Sequence, residues 1–341
     1  MQLPTGLFAY ELAKGASEPE GRSLRYTLMT EIGLRRATAA GVEHPFDLDR
    51  IRTASLGELG SDELRPGDFG LHLWADSLAR RDRGEELEGL LERALAESGG
   101  LEGREGMEVA WIVQGLALSG RHGRLLDDAL RVLLETNLAA NGLLYHYGPG
   151  NRRRRFPNFA TQSYGVLALS TAARLGLDDR ALPAARRLAD RLVELQLEDG
   201  GWPWLFDAKR GTVVERYEVY SVHQHGMAPM ALLELADVSG DDRYLRAASR
   251  GVDWLHGRND LGVEFADEQE RLIYRSIRRR SPWDRAAIAA NLATSTAVGR
   301  PVLRGPRALE LHAVGRPYEL GWLLEAWAGR ESLYVKDGLA G

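Results

Sequence analysis

Two kinds of helical segment alternate along the chain, and each kind needs a different environment. The first kind is rich in Ala, Leu and Gly and poor in charge: GRSLRYTLMTEIGLRRATAAG, FGLHLWADSLARR, MEVAWIVQGLALSG, FATQSYGVLALSTAARLG, VYSVHQHGMAPMALLELADVSG and RPYELGWLLEAWAG. Helices of this composition are buried on most sides. The second kind comprises ELEGLLERALAESG, RLLDDALRVLLETNLAANG, RALPAARRLADRLVELQLEDG and RYLRAASRGVDWLHGRND. Each of these has one apolar stripe and one charged face, the pattern of an outer layer. Turns such as SGRHG, LGLDD and SGDD join an inner segment to the outer one that follows. The return connections TGLFAY, NGLLYHY, DGGWPWLF and LGVEF each set glycine before an apolar or aromatic cluster. Glycine suits a helix end that needs a left-handed residue.

The repeat period drifts around roughly 40 to 60 residues, which marks a divergent internal repeat. The pattern predicts about twelve helices in six hairpins, with SPWDRAAIAANLATSTAVG as the least regular outer member. Inner and outer faces differ too sharply for an open solenoid, in which all repeats are similarly exposed. The expected fold is therefore all-α, an (α/α)6 toroid. No polar linker interrupts the repeats, so residues 1–341 read as one domain.

Composition excludes several classes of function. The formal net charge of -5 with 27% charged residues gives no reason to expect nucleic acid as a partner. There are no cysteines, hence no disulfide, thiolate zinc site or cysteine nucleophile. The first residues, MQLPTGLFAYELAKG, lack the form of a signal peptide, and no apolar run approaches the roughly 20 residues of a membrane span. The expectation is a soluble cytoplasmic protein. Only three of its 44 basic residues are lysine, so its cations are planar guanidinium groups suited to carboxylate or phosphate.

Gln196, Asp199, Gly200, Gly201 and Trp202 form Q-x-x-D-G-G-W. This turn resembles the QW repeat of the terpenoid cyclase and prenyltransferase toroids. It is similar also to turns of six-hairpin carbohydrate enzymes, including pectate-lyase-like and glycosidase-like toroids. The residues explain themselves as a turn: Gln196 bonds free carbonyls at a helix end, Asp199 accepts backbone N–H groups, and Trp202 packs across the end. Trp204 and Phe206 are free to line a pocket. The cyclase side of the resemblance is incomplete. No D-x-D-D or D-D-x-x-D motif is present, and the aspartate pairs at 127–128, 178–179 and 241–242 stand at helix starts or turns. Phosphate loops and H-E-x-x-H zinc helices are also missing, and no metal or cofactor is expected.

The toroid resemblance implies a funnel at the N-terminal ends of the inner helices. The densest polar cluster there is VVERYEVYSVHQHG, with Tyr217, Glu218, Tyr220, His223, Gln224 and His225. On a helix His223 and His225 diverge by about 200°, a poor metal pair, whereas Tyr220, His223 and Gln224 share a face. Other inner-helix entries supply Arg22, Arg25 and Tyr26; Asp68 and His72; Glu105 and Glu108; Asn158, Gln162 and Tyr164; and His312, Arg316, Tyr318 and Glu319. Two basic return loops, GPGNRRRRFPN and IYRSIRRRSPW, bring Arg152, Arg153, Arg154, Arg155, Arg275, Arg278, Arg279 and Arg280, with Trp283 beside them.

A funnel of aromatics, carboxylates and arginines suits a sugar, and the basic loops suit an anionic one, uronic or phosphorylated. The candidate catalytic residues are Glu218, Tyr220, His223, Asp68, Glu108 and Glu319. Arg22, Arg25, Tyr26, His72, Gln162, Trp204, Tyr217, Gln224, Arg316, Tyr318 and Arg278 are candidates for substrate binding. Hydrolysis would use two of the carboxylates. Elimination or epimerisation would use Tyr220 or His223 to move a proton while arginine neutralises a uronate. A cyclase with an unusual acid and a non-catalytic glycan-binding protein are the alternatives.

Overall fold

The computed structural model describes residues 1–280, 284–301 and 308–335. Its inner helices are α1 (Leu24–Ala39), α3 (Pro66–Ala79), α5 (Gly106–Leu118), α7 (Phe159–Arg174), α9 (Ala228–Ser239) and α12 (Pro317–Trp327). Neighbours in this series pack side by side, and α12 packs on α1, so the ring closes. The outer helices α2 (Leu48–Gly57), α4 (Gly84–Glu97), α6 (Arg124–Arg131), α8 (Ala181–Leu195) and α10 (Arg243–Leu255) lie each against the inner helix before it. The chain is an (α/α)6 toroid.

The sixth outer element departs from the pattern. Helix α11 (Asp284–Val298) lies against the strand Thr212–Glu215. Helix α2 was not distinguished in the sequence: it is only ten residues long, and its N-cap Asp47, which accepts the N–H groups of Asp49 and Arg50, is its clearest signal.

The low charge and high glycine content of the inner helices come from their close approach. Gly33 on α1 faces Gly321 on α12, and a Cβ at Gly33 would stand 1.9 Å from the Gly321 carbonyl oxygen. Backbone cannot yield as a side chain can. Gly33→Ala is expected to cost about 3 kcal/mol, the upper end of overpacking, read as a lower urea midpoint with an unchanged slope.

The return connections do more than the loops foreseen. They build short antiparallel sheets over the N-terminal ends of the inner helices. Val219–Tyr220, Ser276–Arg279 and Leu309–His312 form a three-stranded sheet, in which Tyr220 pairs with Ser276 and Ser276 with His312. Leu205–Asp207 pairs with Thr212–Glu215. Residues 219–220 thus form a strand where an unbroken helix was expected, because Val219 and Ile277 are buried in a satellite core with Tyr217, Trp254 and Phe265. The helix begins only after this strand, opening with the π-helical stretch His223–Met227.

The glycine-tryptophan turn is structural, as its residues indicate. Gln196 donates to the carbonyls of Gly200 (2.8 Å) and Ala247 (2.9 Å). Asp199 accepts the Gly201 N–H at 2.9 Å. Gly200 has φ +88°, and a Cβ there would meet the Arg250 carbonyl oxygen at 2.2 Å. Trp202 is fully buried and stacks on Phe159. No helix among the described residues is long and apolar enough to cross a membrane.

Candidate functional site

A cavity of about 200 Å³ opens at the N-terminal ends of the inner helices. Its walls come from α1 (Arg25, Tyr26), α5 (Trp111), α7 (Asn158, Tyr164), α12 (Tyr318), the π-helical stretch (His223) and the return segments (Trp204, Tyr220, Arg275). Six of the expected site residues meet here: Arg25, Tyr26, Trp204, Tyr220, His223 and Tyr318.

The aromatic rings form two stacks. Tyr26 and Tyr318 lie 4.4 Å apart, nearly parallel. Trp204 lies parallel to His223 within 7°, with Tyr220 5.0 Å from the indole. Arg25 donates Nε and Nη2 to Asp68 at 2.7 and 3.0 Å and rests over Trp111. Arg275 lies over the Tyr220 ring, 4.7 Å from its centroid, and reaches Glu319 at 3.2 Å.

The carboxylates stand behind this surface. Asp68 caps α3 by accepting the Arg65 N–H as well as Arg25. Glu319 accepts the Arg316 N–H and the Arg275 guanidinium; burial lifts it to about 7 although Arg275 opposes the shift. Glu218 accepts from the Tyr220 hydroxyl at 3.0 Å, from Ser276, and from His312 Nδ1 at 3.3 Å. Burial works against its charge, but these three donors and Arg275 prevail and hold it at about 2. Burial, then the Glu218 charge, pushes Tyr220 well above the ordinary phenol range, so it stays neutral.

His223 is buried, and its Nδ1 has no hydrogen-bond partner among the described residues. Burial, then Arg275, pushes it down to about 3, so it is an uncharged base at neutral pH. His225 points away into the protein, as the helical spacing predicts, with neither ring nitrogen bonded among the described residues. Burial alone pushes it down to about 3. Below pH 6.5 the unfolded chain binds a proton at His225 that the folded chain refuses until about pH 3. Stability therefore falls as pH drops through that window. His225→Leu is expected to reduce the loss between pH 6.5 and pH 5 by about 2 kcal/mol, measured by urea denaturation at both pH values.

Several expected site residues lie elsewhere. His72 sits with Arg52 and Asp76 in a buried network between α2 and α3. Gln162 and Gln224 are fully buried, and their amides hold the return turns: Gln162 bonds both backbone groups of Leu144, and Gln224 accepts the Trp202 N–H. Tyr217 points into the satellite core and bonds Asp260. Arg22 pairs with Glu58 at the surface. Glu108 lines a neighbouring cavity of about 420 Å³ with Arg65, Arg104, Glu105 and Tyr147. Arg316 stands behind Tyr26, bonding its hydroxyl at 2.7 Å and Glu11 at 3.0 Å. Phe206 is core.

The basic loops are spent mainly on structure. Arg154 bonds the carbonyls of Tyr147 and Thr136, and Arg155 forks onto Asp207. Arg278 pairs with Glu310, and Arg279 with the buried Glu215. Of these arginines only Arg275 reaches the cavity among the described residues, and Trp283 lies outside them. Trp111 was missed as a wall residue, because an apolar inner helix gives no sign of which turn faces the axis. The described residues hold no cluster of three or more His, Asp or Glu able to bind a metal ion.

No family model and no curated protein matches the chain. Solved structures do match over nearly its whole length. An unsaturated glucuronyl hydrolase specific for heparin aligns with TM-score 0.62 and 12% identity, over 97% of this chain and 92% of that one. The unsaturated glucuronyl hydrolase from Bacillus sp. GL1 gives 0.61 and 13%, over 94% and 90%. Cellobiose 2-epimerase from Bacillus thermoamylovorans gives 0.63 and 11%, over 96% and 94%. At these identities the likeness establishes the fold, the six-hairpin α/α toroid.

Proposed function

We propose that the protein is an enzyme that moves a proton on an acidic sugar residue of a glycan, by epimerisation or elimination. One observation carries this reading. The cavity is lined by His223, Tyr220, Arg25 and Arg275, with Tyr26, Asn158, Tyr164 and Tyr318 beside them and no carboxylate among its described walls; Asp68, Glu218 and Glu319 stand behind with their oxygens committed, and Glu108 lines the neighbouring cavity. Hydrolysis by paired carboxylates needs two carboxyl groups free to reach the bond that breaks. Proton transfer at carbon needs a neutral base, a second proton carrier and cations on the adjacent carboxylate, and these are the groups on the wall.

A volume of about 200 Å³ lies below the range of pockets that enclose drug-sized ligands and suits one sugar ring between the aromatic stacks. His223 takes the proton from the carbon next to the sugar carboxylate. Arg25 and Arg275 hold the charge that develops on the carboxylate oxygens. Return of a proton to the other face of that carbon gives the epimer, with Tyr220, whose ring centre lies 5.2 Å from that of His223, as the donor once the planar intermediate has turned. Departure of the substituent one carbon further, with its bonding electrons, gives the unsaturated sugar, and the proton that His223 took is passed to the leaving oxygen to give a freed hydroxyl. Solved structures with the same fold include an unsaturated glucuronyl hydrolase and a sugar epimerase, which agrees with a glycan substrate.

The test is incubation with uronic-acid oligosaccharides in deuterated water, followed by proton NMR. Deuterium at the carbon beside the carboxylate, or a new vinyl signal, supports the reading. New reducing ends with neither signal would establish hydrolysis instead.

A further inference from the structure

The geometry points to Ser276 and His312 as positioning residues that act on Tyr220 through Glu218, an inference that rests on the proton-transfer reading. Strand register carries it. Tyr220, Ser276 and His312 stand directly opposite one another across the three-stranded sheet, and all three side chains converge on the one carboxylate, Glu218. Of the three, only Tyr220 also lines the cavity. A carboxylate only accepts, so Ser276 and Tyr220 donate their hydroxyl hydrogens to it and His312 turns the N–H of Nδ1 toward it. Glu218 thereby fixes the Tyr220 oxygen at the cavity wall, from where the hydroxyl swings its proton from Glu218 to the substrate.

The same contacts explain why the carboxylate is fixed. Glu218 Oε1 is shared by Ser276 and His312, which leaves Oε2 for Tyr220. The charged and titratable groups facing Glu218 are His312 from the far strand, Tyr220 from the strand that begins just after it, and Arg275 from the strand entry; Ser276 adds a neutral donor. If Ser276 or His312 is lost, the carboxylate can rotate and take up a proton at higher pH. A protonated Glu218 no longer accepts from Tyr220, so the phenol loses its orientation. A misplacement of this kind costs about tenfold to a hundredfold in turnover without removing any group that touches substrate.

The experiment compares the wild type with Ser276→Ala, His312→Leu and His312→Gln, all as the full chain. Carbon-13 NMR follows the Glu218 carboxyl and the Tyr220 ring carbon that bears oxygen, from pH 4 to 8. Steady-state kinetics use the uronic-acid oligosaccharide that gives exchange. The wild-type carboxyl should stay ionised over the whole range. In Ser276→Ala and His312→Leu its titration should move up into that range and the Tyr220 signal should shift. In the same variants kcat should fall about tenfold or more, KM should change less than twofold, and the acid limb of kcat should move up with Glu218. His312→Gln keeps an N–H donor and should restore most of each effect. An unchanged Glu218 titration, or a shifted one with unchanged kcat and acid limb, would overturn the inference. Shifted Glu218 and Tyr220 signals in a protein that turns over no acidic glycan would instead overturn the proton-transfer reading and leave the clamp standing.

Discussion

Arg52→Met is expected to destabilise the protein by about 3–5 kcal/mol, the range for breaking a buried ion pair by removing one partner. Arg52 is fully buried on α2. Its Nη2 bonds Asp76 at 2.8 Å and the His72 carbonyl at 3.1 Å, and its Nη1 lies 3.8 Å from Glu31. Glu31 keeps Arg35 at 2.9 Å, and Asp76 keeps the Arg83 N–H at 3.1 Å. Neither compensation replaces a guanidinium, and a methionine leaves two carboxylates inside the protein without their common cation. The comparison is Arg22→Met. Arg22 meets Glu58 at 2.9 Å, but its side chain is 47% exposed, and a solvated pair of that kind contributes at most about 1 kcal/mol. Urea denaturation of the two variants should separate them clearly. Equal, small losses would mean that the buried network is hydrated and that Arg52 acts mainly as a filler.

The fold was legible because burial leaves a pattern in composition. Inner helices must be nearly free of charge to pack on both sides, and closures such as Gly33 against Gly321 require glycine, so both features show in the sequence. Helix α2 did not show, because ten residues carry too little periodicity. The strands did not show for a different reason. Val219 and Tyr220 adopt extended backbone because their partner strand, Ser276–Arg279, comes more than fifty residues later, and no local pattern reports a distant partner.

The candidate site was legible in part. The cluster around Tyr220 and His223 stood out because so many polar rings cannot all be packing. Gln162 and Gln224 looked equally suitable, since they also open inner helices, but their amides answer backbone groups of the return turns. Residue type alone does not separate an amide that faces a ligand from one that faces a turn. Arg275 was hidden in a run of arginines whose other members meet Glu310 and Glu215, and only strand register tells which of them points inward.

His223→Gln is expected to lower kcat about a hundredfold to ten-thousandfold, the share of a positioned acid–base group. The imidazole stands parallel to Trp204 at the cavity wall with Nδ1 buried and unbonded among the described residues. Burial keeps it uncharged at neutral pH. Glutamine preserves bulk and hydrogen-bonding capacity but has no basic nitrogen, so binding should survive and proton abstraction should not. KM should therefore stay within a few-fold, and deuterium exchange at the carbon beside the carboxylate should vanish with turnover. The loss of stability between pH 6.5 and pH 5 should shrink, as for His225→Leu, because the variant lacks a group that binds a proton in the unfolded chain and refuses it when folded. Arg278→Ala serves as the control: Arg278 spends its charge on Glu310 on the neighbouring strand, outside the cavity, and the change should alter kcat less than twofold. If His223→Gln keeps full exchange, the base lies elsewhere on the wall, and Tyr220 becomes the group to replace.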